Sequence, residues 1–442
     1  LDPAKPQEAQ LVLESPDGTV WAPIDFSSDG KSLLVQNARS NVEHRVYLLD
    51  LGSGDLRMLA GGETPGFYQP YSYDASGAGF WLTTDANSNF RQLAWQSLEP
   101  DSKPEIVSAD IPWDVTDMVL AGDRRQMAFE TNEDGFSRLY LMDPRKRTYR
   151  AVEGLPLGVM GMIRFSPDQR RLGFSISAAR SPTDAFVLEL NMDPMRHGDL
   201  TRWTFSEVGG LDTQTFIEPE LVRFPTFDSG QGGPESIPAW LYRPPGEGPH
   251  PVVISIHGGP EAQSRPYFVN TYQLWLQKLG VAVLVPNVRG STGYGKHYQT
   301  LDNGFNRENS VKDIGALLDW IEQQPDLDPD RVAVSGGSYG GYMVLASAVQ
   351  YSDRLRAAVD RVGISNFVTF LENTQDYRRD IRRAEYGDER DPAMRAHLEK
   401  ISPLNNVERI QIPLFVVQGQ NDPRVPVSEA EQIVAAVRAQ GN

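Results

Sequence analysis

The chain has 442 residues with 59 acidic and 42 basic side chains, a net charge of 42 − 59 = −17, and is long enough for two or three domains. A hydrophobic fraction of 40% supports sizeable cores, while the acidic balance argues against nucleic acid as a partner, because phosphate binding needs a basic face. No run of about 18 apolar residues is present to span a bilayer, and the lack of cysteine excludes disulfides, thiolate metal sites and a cysteine nucleophile, without deciding between a cytoplasmic and a periplasmic compartment.

The first residue is Leu1, not Met, so the chain reads as one whose natural start, with any signal peptide, lies elsewhere. Its first half repeats one local pattern four times. An apolar or aromatic residue and a short polar link lead to an Asp, followed by a turn and an apolar strand. The Asp residues are Asp29, Asp74, Asp123 and Asp168, spaced by 45, 49 and 45. Each unit continues into a second alternating strand, such as Arg45–Asp50 or Ser137–Met142. Units of about 40–50 residues holding several short strands are the mark of β-propeller blades. The Asp caps the tight turn by accepting from backbone N–H groups. A β-sandwich with similar turns is the alternative. Four such units predict a partial propeller over residues 1–206.

From Ile217 the rhythm changes, and an α/β domain is predicted over residues 207–442. Glu220–Phe227 and Ile237–Tyr242 read as a hairpin joined by the Gly/Pro-rich link Ser229–Pro234. Buried-type strands follow at Pro251–Ile256, Val281–Pro286, Arg331–Ser335, Ala357–Val362 and Pro413–Gln418. Helices are expected at Val311–Gln323, Tyr342–Val349 and Glu429–Val437. Strand–helix alternation implies a mostly parallel sheet covered on both faces.

Three motifs carry chemistry. Gly336-Gly337-Ser338-Tyr339-Gly340 is a Gly-x-Ser-x-Gly between an apolar strand and an apolar helix, the context of a nucleophile elbow. A phosphate-binding turn is set aside, since neither the Lys-Ser/Thr of a P-loop nor a third spaced Gly is present. His257-Gly258-Gly259-Pro260 directly follows a strand, where hydrolases of this architecture place an oxyanion-hole donor. Gly259 N–H and Tyr339 N–H are the two expected donors, and His257 is expected to hold the loop. Asp422, in Asn421-Asp422-Pro423 after a late strand, stands where the order Ser…Asp…His puts the triad acid. Asp360 is the runner-up acid, and a plain turn is the alternative for Asp422.

The same order requires a histidine after Asp422. The six histidines are His44, His197, His250, His257, His297 and His397, and none follows it. His397 reads as a solvated surface residue. The chain is therefore expected to be a piece of a longer protein, short of its last strand and its general base; a hydrolase that has lost its base and serves as a binding module is the alternative. The run Asp326-Leu327-Asp328-Pro329-Asp330 lacks the Gly and terminal Glu of a calcium loop and reads as a polar turn.

Together, His257–Pro260, the stretch from Pro286 to Gly295 (PNVRGSTGYG), Gly336–Tyr342, Ile401–Asn405 and Asn421–Pro426 resemble the prolyl oligopeptidase family of serine peptidases, in particular its acylaminoacyl-peptidase-like and dipeptidyl-peptidase-like branch. The likeness covers residues ~207–442 in the family's order; the propeller repeats match more loosely. It implies Ser338 as the acylated nucleophile, Asp422 as triad acid, Gly259 and Tyr339 as oxyanion donors, short peptides as substrates, and no cofactor or metal. The departures are four blade-like repeats where the family usually has seven or eight, and the missing histidine. Phe367 and Phe370 are weak candidates to line an apolar specificity pocket, core packing being the expected role of at least one of them. A serine peptidase is the leading expectation, against a carboxylesterase of the same fold and a propeller-based binding protein. Homo-oligomer formation is left open.

Overall fold

A computed structural model describes residues 4–15 and 19–441. Four antiparallel sheets come first, each a simple meander of four strands. They comprise Val20–Phe26, Ser32–Ala38, His44–Asp50 and Leu56–Ala60; then Tyr68–Tyr73, Gly79–Thr84, Gln92–Ser97 and Glu105–Ile106; then Asp114–Leu120, Met127–Glu133, Phe136–Asp143 and Thr148–Ala151; and finally Val159–Phe165, Arg171–Ala178, Ser181–Leu190 and His197–Arg202. Each sheet is one repeat of the sequence, and each repeat Asp does the expected work in its first turn. Asp29 Oδ1 accepts from Lys31 N (3.1 Å), Asp74 Oδ1 from Ser76 N (3.0 Å), Asp123 Oδ1 from Arg125 N (3.0 Å) and Asp168 Oδ1 from Arg170 N (3.2 Å). The apolar residues pack between successive sheets. Leu34 and Val46 meet Phe80 and Leu82, Trp81 and Leu93 meet Met127 and Phe129, and Ala128 and Leu139 meet Ile163 and Phe174. This is blade-on-blade packing, so the propeller reading holds and the sandwich alternative falls.

The second half builds one seven-stranded sheet from β1 (Glu220–Phe224), β2 (Ile237–Tyr242), β3 (His250–Ile256), β4 (Ala282–Pro286), β5 (Leu327–Gly337), β6 (Ala357–Arg361) and β7 (Leu414–Val417). Their order is β1-β2-β4-β3-β5-β6-β7, antiparallel at β1/β2 and β2/β4 and parallel elsewhere. This is the sheet of an α/β-hydrolase. Helices α1 (Asn270–Leu274), α2 (Gly295–Thr300), α3 (Glu308–Ile321), α4 (Tyr339–Gln350), α5 (Phe367–Asn373), α6 (Asp376–Tyr386), α7 (Pro392–Ile401) and α8 (Val427–Ala439) connect and cover it. In α3, Val311, Ile314, Leu317, Leu318 and Ile321 recur at helical spacing and enter the main core.

All seven predicted strands are present, with shifted ends. β1 stops at Phe224 because Pro225 has no N–H to give the ladder. β5 runs longer than predicted at both ends, and α4 begins at Tyr339, three residues early, immediately after Ser338. The Asp326–Asp330 run opens β5, with Asp328 Oδ1 accepting from Asp330 N (2.9 Å) and its carboxylate bound by Arg331.

The loop after β4 is pinned from below. Arg289, 2% exposed, donates to Asp313 of α3 (2.9–3.2 Å) and to Asp228 (2.7 and 2.9 Å). Asp313 is fully buried and also accepts from Arg289 N (3.0 Å) and Thr226 Oγ1 (2.5 Å). Removing one partner of such a pair strands a buried charge. Arg289→Ala is expected to lower unfolding stability by roughly 3–5 kcal/mol, read as a shift of the urea midpoint; a shift under about 1 kcal/mol, the range of an exposed pair, would contradict this account.

Candidate active site

The junction from β5 to α4 is the sharpest turn of the fold. Ser338 has φ 57° and ψ −120°, a conformation that costs roughly 1–3 kcal/mol for a residue other than glycine. Its N–H donates to Arg361 O on β6 (2.9 Å), and its carbonyl accepts from Gly341 N (2.9 Å) and Tyr342 N (3.1 Å). The flanking glycines are required by contact. A Cβ at Gly336 would lie 2.4 Å from Gly340 O, and one at Gly340 would lie 2.3 Å from Ile256 O. Helix α4 can therefore start against the end of β3 only without side chains there.

The turn after β3 lies against the same point: a Cβ on Gly258 would be 2.9 Å from Gly337 O and 3.4 Å from Ser338 Cβ. Gly259 has φ +132°, and its carbonyl accepts from Arg382 Nη1 (3.1 Å) and Tyr386 Oη (3.4 Å) on α6. His257 binds Gly258 O through Nδ1 (2.7 Å) and Ser291 Oγ through Nε2 (2.9 Å), and burial lowers its pKa, so the ring is a neutral loop anchor. Tyr339 opens α4, where a first-turn amide has no intrahelical acceptor. Its hydroxyl is held below by Ser310 Oγ (2.9 Å), Arg307 Nη1 (3.3 Å) and Asp302 Oδ2 (3.3 Å). Arg307 and Asp302 form a fully buried ion pair, and Arg307 Nη2 also donates to Glu385 O (2.7 Å).

Asp422 lies in the turn after β7. Its Oδ1 accepts from Arg424 N (2.8 Å) and Val425 N (3.2 Å), and among the described residues no donor reaches its Oδ2. Asp360, at the end of β6, is 1% exposed and wedged under the start of α4, where Cβ atoms on Gly341 and Gly363 would come within 2.4 and 2.2 Å of its Oδ1. Burial pushes it up to about 7. A slot that tight leaves no room for an imidazole, which favours Asp422 over Asp360 as the acid.

Phe367 and Phe370 are 0% and 2% exposed. Phe367 packs between Tyr342 (4.5 Å) and Tyr386 (5.1 Å), and Phe370 against Tyr386 (6.1 Å). Both belong to the core, and neither lines a specificity pocket. His397 differs from expectation too. It is half-buried on α7 with its ring 5.1 Å from Phe305, and its Nε2 is enclosed without a partner. Among the described residues no histidine hydrogen-bonds Ser338. The sequence reading missed Arg382 and Tyr386, whose i, i+4 spacing on one helix face was a usable sign, and the Arg307–Asp302 pair, which no local pattern announces.

Asp360 gives a pH test. Its unfolded pKa lies near 4 and its folded value at about 7, so its contribution to stability is present below pH ~4 and is lost as the pH rises through about 7. Asp360→Asn is expected to flatten that fall, with a higher melting temperature than the parent above pH 7. Parallel melting curves from pH 4 to 8 would refute it.

Residues 266–442 match the profile of the prolyl oligopeptidase family. The chain is 38% identical over 196 residues to dipeptidyl aminopeptidase BIII of Pseudoxanthomonas mexicana, covering 44% of this chain and 28% of that protein. It is 30% identical over 202 residues to the human acylamino-acid-releasing enzyme, covering 44% and 27%. Among solved structures, a prolyl endopeptidase superposes with a TM-score of 0.85 at 22% identity, over 98% of this chain and 62% of that one. The acylaminoacyl peptidase of Pyrococcus horikoshii superposes with a TM-score of 0.74 at 20% identity, over 97% and 65%. The chain thus spans well under half of these curated relatives and about three fifths of the solved ones.

Proposed function

We propose that the protein, whose residues 266–442 match the prolyl oligopeptidase family of serine peptidases, cleaves short peptides through an acyl-enzyme on Ser338. The observation that carries the reading is the strained Ser338 at the β5–α4 junction with the Gly258–Gly259 turn against it. Ser338 Oγ attacks the scissile carbonyl, its proton passes to a histidine base, and the Gly259 and Tyr339 amides receive the oxyanion. The leaving amine takes the proton from the base, and water then releases the acyl group. Asp422, whose Oδ2 has no donor among the described residues, orients the imidazole and stabilises the imidazolium formed when the ring takes the serine proton. Loss of one oxyanion donor in such a site typically costs about 2.7–4 kcal/mol of transition-state stabilisation.

The limit to short peptides is supported by contacts of the four-stranded sheets with the loops of the hydrolase half. Asn89 of the second sheet accepts Lys296 N (2.7 Å) and His297 N (2.8 Å) at the start of α2, and Lys296 Nζ reaches Asp85 O (2.8 Å). An acyl-blocked or a free N-terminus on the substrate is consistent with the two kinds of relative, a dipeptidyl aminopeptidase and an acylamino-acid-releasing enzyme.

With no histidine bonded to Ser338 among the described residues, the 442 residues alone are expected to be close to inactive, keeping only the residual rate left by nucleophile and oxyanion hole. Reaction with a fluorophosphonate followed by mass spectrometry tests the site: slow, stoichiometric modification of Ser338, abolished in Ser338→Ala, is expected. Modification elsewhere, or turnover of acyl-peptides at the rate of a complete triad, would overturn the respective claim.

A further inference from the structure

Immediately after the oxyanion turn, residues 261–265 bond alternately to the two halves of the molecule. Glu261 accepts from Asn41 Nδ2 of the first sheet. Gln263 Oε1 accepts from Asn132 Nδ2 of the third sheet (2.6 Å). Arg265 donates through Nε to Gly135 O (2.9 Å) and through Nη2 to Ser137 Oγ (2.9 Å), with the Glu130 carboxylate 3.7 Å away. The residues between them bond the hydrolase side. Ala262 O accepts from Thr292 N (2.9 Å), Ser264 N donates to Asn287 Oδ1 (2.7 Å), and Ser264 O accepts from Trp240 Nε1 and Asn287 Nδ2 (3.0 Å each). Residues two apart share a face of an extended chain, and the side chains of 261, 263 and 265 all meet the four-stranded sheets.

This segment is joined to Gly259 by a stiff link. Pro260 has its φ fixed by its ring, and Ala262 N donates back to Pro260 O (2.7 Å). Any displacement at 263–265 must be absorbed at Gly259, where φ is +132° and a side chain would meet Glu261 N at 2.7 Å.

We propose that residues 261–265 form a strut through which docking of the four-stranded sheets sets the position of the Gly259 amide, with Gln263 and Arg265 as positioning residues for the oxyanion hole. The proposal rests on the reading of Ser338 and Gly259 given above.

Two variants of the full chain test it. Gln263→Ala removes one bond while Asn132 keeps its Oδ1 contact to Gly135 N (3.0 Å). Arg265→Lys keeps a cation near Glu130 and loses the planar fork to Gly135 and Ser137. Amide hydrogen exchange of segments 256–262 and 339–350 is followed beside the rate of Ser338 modification by a fluorophosphonate. Both variants are expected to raise exchange in 256–262 by roughly tenfold or more, leave 339–350 unchanged, and slow modification by about 10–100-fold, within the range for a weakened oxyanion donor. Unchanged exchange in 256–262 overturns the strut. Raised exchange with an unchanged modification rate overturns the positioning role. A parent chain whose Ser338 is never modified, but whose variants still loosen 256–262 selectively, sinks the nucleophile reading and leaves the strut standing.

Discussion

The approach of α4 to the ends of β3 and β5 is the constraint on which the rest of the site depends. It is a contact between backbones, with carbonyls of Ile256, His257 and Gly340 occupying the space where side chains would stand at Gly336 and Gly340. Once the helix starts that close, Ser338 is held at φ 57° and the Tyr339 amide falls in the first helical turn, where it has no intrahelical acceptor. Close-packed interiors do not relax around an added methyl group at such distances. The strain at Ser338 is held by Arg361 O on one side and by the Gly341 and Tyr342 amides on the other.

Polar groups hold this assembly from below, and they are unusual for a core. The Arg307–Asp302 pair is wholly buried, and Glu385 is 3% exposed. A buried ion pair is a poor source of stability compared with apolar residues of the same volume. Its position explains it better: it ends on the Tyr339 hydroxyl, while Arg382 ends on the Gly259 carbonyl and on Glu385. The two proposed oxyanion donors are thus tied through Tyr339, Arg307, Glu385 and Arg382 to one connected network. Burial and, after it, the neighbouring Glu385 push the Glu261 carboxyl up at the network's edge nearest the first sheet.

Much of this was legible in the amino-acid order because the decisive features are local. The repeat Asp residues, the strand rhythm and the Gly-x-Ser-x-Gly spacing each act within a few residues, and the four sheets and seven strands follow from them. Phe367 and Phe370 show where local reading ends. Two phenylalanines after a strand look alike whether they face a pocket or Tyr342 and Tyr386, and α5 and α6 decide the matter by folding back over α4. His397 was misjudged for the same reason: its segment is polar, but Phe305, ninety-two positions earlier, covers the ring. Segment ends moved where a single residue type outweighed the pattern, as Pro225 does at the end of β1.

Contacts between the halves were the least legible and bear most on chemistry. Asn41 and Asn89 sit in turns between neighbouring strands of the first two sheets, and Asn132 near the end of the strand Met127–Glu133 of the third, positions where asparagine is ordinarily explained by local geometry alone. In the folded chain their side chains point across to Glu261, Gln263 and the start of α2. Gly293 and Gly295 make room for them: a Cβ at Gly295 would fall 2.1 Å from Asn89 Nδ2, and one at Gly293 would fall 2.7 Å from Asn132 Nδ2. Both glycines belong to the stretch that marks the family resemblance, Pro286 to Gly295, yet they touch no reacting group. Their small size serves the fit of one half on the other. Part of what a motif search reads as an active-site signature is therefore an interface signature. The two coincide because the Gly258–Gly259 turn and the inter-domain contact are built from the same loops.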